Sequence, residues 1–228
     1  MEKLDYTALS KTYTIDFQIA DSAATANALL SGHKTKYFTM GTSGDVQYDD
    51  CSSLSKEDAA KMHASVPKSG DRSSSESLLV KASKNGMATG LVTSTRLTHA
   101  TPAAVYAHSP NRWWEKNAPD GCLDMAEQYF KRSHYFNLTF ACGQGYFNKY
   151  RNDGRNLISE WLHEDPARQF YQTKRELLDA DISLNTHHLG LFNDAHCTYK
   201  VDRDDKIEPS LTEMTTKAID ILEKSEKE

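Results

Sequence analysis

Apolar positions fall in short blocks along the chain, and their spacing switches between that of a strand and that of a helix. Residues 6–19 alternate loosely (Tyr6, Leu9, Tyr13, Ile15, Phe17, Ile19), which predicts an extended segment. It leads into Asp21-Ser22-Ala23-Ala24, the start of an alanine- and leucine-rich run that Gly32 closes. Asp21 suits the helix cap, the run favours helix, and Gly32 suits its end. Residues 36–50 predict turns with a short strand. A short helix is expected within 56–64, a loop at 69–75, and a helix over 77–84 that Asn85-Gly86 stops.

Met87 to Arg96 is the clearest strand. It is β-branched and uncharged until its end, as a buried parallel strand would be. A helix follows, with Thr101 expected at the cap and Pro102 in its first turn. Ser109-Pro110 breaks that helix. Further on, the pattern predicts an amphipathic helix over 122–131 and a strand ending in a glycine turn over 134–147. Helices are expected over 155–163 and 173–180, and a strand over 187–192. The last helix opens at Glu208-Pro209-Ser210 and carries the apolar stripe Met214, Ala218, Ile221 and Leu222. Strands alternate with helices, so the class is α/β. Strong strands are too few for a complete large sheet.

Composition narrows the function. A net charge of −5 with mixed signs leaves no basic footprint, so nucleic acid is not an expected partner. No apolar run reaches the length of a membrane span, and the first residues lack the apolar core of a signal peptide. The four cysteines, Cys51, Cys122, Cys142 and Cys197, contain no CxxC pair, which disfavours a zinc ribbon. Their even number and the sequon Asn137-Leu138-Thr139 are compatible with an oxidising, glycosylating compartment.

Candidate chemistry gathers at two places. Ser22 opens a helix, where free N–H groups and the positive dipole end favour an anion. It is either part of an ordinary cap or a hydroxyl able to carry a phosphoryl group. His99, Thr101 and Arg112 follow the strand 87–96, at the carboxyl end where α/β ligands gather. Arg112 suits a bidentate phosphate clamp, or a surface ion pair beside two packed tryptophans. The adjacent His187 and His188 point to opposite faces of their strand, poor geometry for joint metal ligation.

Several stretches together resemble the alkaline phosphatases, closest to the animal type. They include Ala8-Leu9-Ser10-Lys11-Thr12-Tyr13, Asp21-Ser22-Ala23-Ala24-Thr25-Ala26 and Gly90-Leu91-Val92-Thr93-Ser94-Thr95-Arg96 with His99-Ala100-Thr101-Pro102-Ala103. Tyr106-Ala107-His108, Asn111-Arg112, Gly190-Leu191-Phe192 and Pro209-Ser210-Leu211 continue the series in order. The resemblance implies an α/β/α sandwich around a mostly parallel sheet, and a phosphomonoesterase that uses zinc and magnesium. It implies Ser22 as the phosphorylated, zinc-bound nucleophile and Arg112 as the holder of two phosphate oxygens. Thr101 is implied as a magnesium ligand and His99 as its contact through water.

The resemblance also pairs Cys51 with Cys122. It leaves Cys142 and Cys197 without counterparts, either paired or free. It implies phosphate monoesters as substrates, a homodimeric parent, and an extracellular or cell-surface location with any anchor outside these residues. The family's first metal-bearing strand is expected before Met1 and most zinc ligands after Glu228. The chain therefore reads as a single partial domain, with 52–84 an inserted loop region and little activity expected in isolation. A non-catalytic remnant serving as a phosphate-binding or scaffold protein is the alternative. Phe192 and Glu208 match two positions of an additional calcium site, but Asn193 replaces an acidic one, so calcium is not expected.

Overall fold

A computed structural model describes residues 8–53, 76–181, 183 and 186–225. The expected helix within 56–64 and the loop at 69–75 lie outside the described residues. Of the expected inserted region, residues 77–84 do form a helix end and body.

The first helix, α1 (Ser22–Ser31), starts and stops where the sequence says it should. The Asp21 carboxylate accepts from the N–H groups of Ala23 and Ala24, and Gly32 closes the helix at φ 78°, in the left-handed region. Before it, residues 8–20 form no strand, and Leu9, Ile15, Phe17 and Ile19 are exposed. The alternation there marks apolar side chains that find no second strand to pair with among the described residues. Residues 36–50 are turns, with an antiparallel bridge between Met40 and Ser109 in place of the expected short strand. Gly41 (φ 65°) makes that approach possible: a Cβ there would sit 2.1 Å from the Ala107 carbonyl oxygen.

Helix α2 (Leu78–Lys84), capped by Ser77, leads to strand β1 (Gly90–Arg96). After it come the short helix α3 (Ala100–Ala103), α4 (Met125–Arg132) and the fully buried strand β2 (Leu138–Cys142). Helix α5 (Leu157–Glu164), strand β3 (Arg168–Tyr171), helix α6 (Lys174–Asp179), strand β4 (His187–Leu191) and helix α7 (Leu211–Leu222) complete the chain. Both α6 and α7 open with reciprocal caps, Thr173 with Glu176 and Ser210 with Glu213.

The four strands pair in parallel in the order β1-β2-β4-β3. Side chains on β2 alternate between two apolar layers. Ala141, Leu189 and Leu191 face a core with α1, α3, α4 and α5. Leu138, Phe140 and Cys142 face Met214, Ala218 and Ile221 of α7 and Leu177 of α6. The architecture is therefore helix, sheet, helix.

One expectation about strands needs correction, and one strand is unexpected. β1 is parallel but only half-buried, because among the described residues it has a partner on one edge alone. β3 is the unexpected strand: its apolar run is only Phe170 and Tyr171, and its pairing with β4 makes it a strand. The sequon Asn137-Leu138-Thr139 runs into β2. Thr139 is wholly buried in β2, and the Asn137 side-chain oxygen accepts from the Thr89 N–H at 3.0 Å. All four cysteines are bonded, Cys51 to Cys122 and Cys142 to Cys197.

Candidate active site

The carboxyl end of β1 turns directly into α3, and the loop after α3 returns beneath the start of α1. The Arg112 N–H donates to the Phe38 carbonyl at 2.9 Å, and Met40 and Ser109 exchange backbone hydrogen bonds. These few bonds bring Arg112 to Ser22. Its Nη1 donates to Asp21 Oδ2 at 2.8 Å and to Ser22 Oγ at 2.9 Å. Its Nη2 lies 3.2 Å from His99 Nε2. Arg112 is buried, not a surface ion pair, and of its two tryptophan neighbours only Trp114 is packed inside.

Asp21 does more than cap a helix. Its oxygens accept from Ala23, Ala24 and Phe38 N–H groups as well as from Arg112. One carboxylate thus fixes the helix start, the neighbouring turn and the guanidinium together. Such a charge-assisted set is stronger than neutral hydrogen bonds and holds its members in one geometry.

His99, not Thr101, occupies the cap position of α3, and its side chain makes no capping bond. Thr101 sits one residue into the helix and is exposed, because the turn at Leu97–Thr98 ends two residues earlier than the sequence pattern indicates. Burial pushes the His99 pKa down to about 4, opposed by the field of Glu115 and aided by Arg112 and Arg96. At neutral pH the ring is uncharged. A guanidinium can only donate, so Nε2 accepts from Arg112 and the ring proton sits on Nδ1. His99 Nδ1 and Arg112 Nε are both buried without a protein partner. Two N–H donors beside a helix-start hydroxyl are thus left for an outside acceptor, as an oxyanion seat requires.

A second layer was not visible from sequence. Arg96 grips Glu115 through Nε at 2.8 Å and Nη2 at 2.7 Å, and Thr98 Oγ1 donates to the same carboxylate. His196 stands on Arg96, and its ring meets that of His99 edge-on at 5.0 Å. Nothing in the local spacing marks Glu115 or His196, which come from separate loops; only the Cys197 neighbour of His196 hinted at a fixed position.

The sequence matches the family described as alkaline phosphatase over residues 1–228. This chain belongs to the alkaline phosphatase family. It is 33% identical over 251 residues to the tissue-nonspecific alkaline phosphatase of Gallus gallus, with 99% of this chain and 45% of that protein covered. It is also 33% identical to alkaline phosphatase 4 of Drosophila melanogaster, covering 96% of this chain and 39% of that one. This chain therefore spans less than half the length of these relatives. The Thermus thermophilus alkaline phosphatase superposes with a TM-score of 0.69 at 25% identity, over 93% of this chain and 37% of that one. The alkaline phosphatase of the Antarctic bacterium TAB5 shares the fold, with a TM-score of 0.68 at 23% identity over 94% of this chain and 51% of that one.

Metal donors are sparse among the described residues. Among the described residues, the group of three His, Cys, Asp or Glu donors within joint reach of an ion is Cys142, Cys197 and Glu208. Two of those are joined in a disulfide, and Glu208 accepts from Thr198 and Asn193. Of the expected ligands there remain the Ser22 hydroxyl, the exposed Thr101 hydroxyl and the unpartnered Nδ1 of His99. Asp21 is already engaged by four donors. These residues do not fit a complete zinc or magnesium site, since zinc takes at least three protein ligands and magnesium an octahedron of oxygens.

Proposed function

We propose that this chain carries the nucleophile and phosphate-holding half of a phosphomonoesterase. Ser22 is the acceptor of the phosphoryl group and Arg112 the group that orients it. The observation that carries this reading is the single guanidinium nitrogen shared by Asp21 and Ser22, with the free Nε beside it. In such a seat the bound phosphate is held by Arg112, whose Nε is unpartnered, and by the unpartnered Nδ1–H of His99. Ser22 Oγ then attacks phosphorus, its proton passing to solvent, and the P–O bond to the leaving group breaks, its oxygen taking the bond electrons and a proton from solvent to leave as the alcohol. Water later attacks the phosphoserine and releases phosphate. Arg112 neutralises charge on the transferring group throughout, the main task in phosphoryl transfer.

The family implies zinc and magnesium, and a TAB5 variant is described with Mg bound in its M3 site. The donors described here are incomplete for either ion, so no step is assigned to a metal. Ser22 for zinc, and Thr101 with His99 for magnesium, stay as the positions that would contribute. The paired disulfides favour an extracellular or cell-surface parent. No helix among the described residues is long and apolar enough to cross a membrane.

Hydrolysis of p-nitrophenyl phosphate by the 228-residue chain, with and without added zinc and magnesium, tests the reading. Little or no turnover is expected, with inorganic phosphate still bound in a way that Arg112→Ala weakens. Phosphate that binds equally to the Arg112→Ala chain would overturn the assignment. Robust turnover lost in Ser22→Ala would show that the missing donors are supplied some other way. The sparse donor set also favours the second reading, a phosphate-binding remnant without catalysis. Binding without turnover, unchanged by metals, supports it.

A further inference from the structure

The oxyanion seat has an aromatic wall. The Arg112 guanidinium carbon lies 5.0 Å from the Trp113 ring centre and 5.8 Å from that of Phe38. Those two rings meet edge-on, 6.0 Å apart. From Phe38 the run continues to Tyr48 at 5.7 Å, and through Tyr37 at 4.0 Å to Phe17. Trp113 is 56% exposed, Phe17 57% and Tyr48 44%. Five aromatic rings thus form a continuous, open surface that ends on the phosphate-holding arginine.

Backbone strain maintains this wall. Among the described residues, the non-glycine positions with positive φ are Phe38 at 64° and Asp49 at 60°. A bulky residue there is a steric outlier that persists only when its surroundings over-determine it. Phe38 is held by its N–H to Asp21 Oδ1 and its carbonyl to the Arg112 N–H. Asp49 donates its N–H to the Pro110 carbonyl and accepts from the Asn111 amide. Asn111 Oδ1 in turn accepts from the Trp113 N–H at 2.8 Å. The same bonds that set Arg112 therefore set the rings on either side of it.

We infer that Trp113 and Phe38 form a subsite for a flat aromatic group carried on the phosphate, making aryl phosphate monoesters the preferred substrate class. This rests on the phosphate seat proposed above and extends it. Arg112, more than nine-tenths buried and with Nε unpartnered, takes the phosphate end. The exposed indole face of Trp113 stacks on the aryl ring, and the edge of Phe38 closes the other side. An aliphatic alcohol gains little there, because it offers no ring to stack.

Non-hydrolysable phosphonates test this on the 228-residue chain without any need for turnover. Inorganic phosphate, methylphosphonate and phenylphosphonate are titrated and followed by 31P line shape and tryptophan fluorescence. Phenylphosphonate should bind about fivefold tighter than methylphosphonate, the scale of one good aromatic contact. Trp113→Ala should remove that preference, so that phenylphosphonate and methylphosphonate bind alike, and Trp113→Phe should keep most of it. Near-ultraviolet circular dichroism verifies that each variant is folded. Equal binding of the two phosphonates overturns the subsite and leaves the phosphate seat standing. A preference that survives Trp113→Ala overturns the assignment to Trp113. Absence of binding by phosphate and both phosphonates overturns the subsite together with the seat beneath it.

Discussion

Arg112 Nη1 lies 2.9 Å from Ser22 Oγ although 90 positions separate the two residues in the chain. The contact depends on two loops that lie side by side, at Phe38–Gly41 and Ala107–Arg112, and on the carboxylate of Asp21 between them.

Removing the guanidinium should separate binding from folding. Arg112→Ala leaves Asp21 with three backbone N–H partners, so its charge stays solvated by the helix start. Phosphate affinity is expected to fall roughly ten- to hundredfold, since a hydrogen bond to a charged group is worth about 1.5–3 kcal/mol. Titration of inorganic phosphate followed by 31P line broadening measures it.

Asp21 has two duties that different substitutions divide. Asp21→Asn keeps an acceptor for the cap but removes the charge opposite Arg112. Asp21→Ala removes both, and its loss should approach about 3–5 kcal/mol, as for a broken buried ion pair. Urea unfolding of both variants gives the comparison. Equal losses would mean that the charge alone matters.

The pH profile of stability has a buried histidine behind it. His188 is nearly inaccessible; it accepts from the Tyr171 hydroxyl at 2.9 Å and donates to the Ser183 carbonyl at 2.8 Å. Burial lowers its pKa below the ordinary value of 6.5, so the folded chain holds it neutral. The unfolded chain binds the extra proton first as pH falls. This contribution is complete above the unfolded pKa and declines as pH drops below it. Unfolding free energy measured at pH 7.5 and pH 5.5 should decrease toward the acid side, and His188→Gln should flatten that slope.

Each disulfide closes a long loop, with sequence separations of 71 and 55. In the chain-entropy description each restrains the unfolded state by about 4 kcal/mol. Reduction should therefore lower the urea midpoint sharply. Peptide mapping without reduction should recover Cys51 with Cys122 and Cys142 with Cys197, and a Cys51–Cys142 peptide would contradict the structure.

Thr101 distinguishes a cap from a ligand. It is exposed within α3 and holds no cap bond. Thr101→Ala should change stability by less than about 0.5 kcal/mol, as at an ordinary surface position. A larger loss in thermal or urea unfolding would restore the capping role expected from its sequence.

The sequence by itself determined the local elements whose signals are local. Asp21 and Gly32 bound α1, Thr173 with Glu176 opens α6, and the β-branched run makes β1, because caps and side-chain periodicity act within a few residues. Motif likeness carried the family and placed Ser22 and Arg112 as partners. Only the tertiary structure decided the rest. β3 is a strand because β4 lies beside it, His99 displaces Thr101 from the cap because the chain turns earlier, and Glu115, His196 and Phe38 join the site from separate loops. Those outcomes depend on contacts between distant residues, where hydrogen bonding and burial outweigh the preferences of any single stretch.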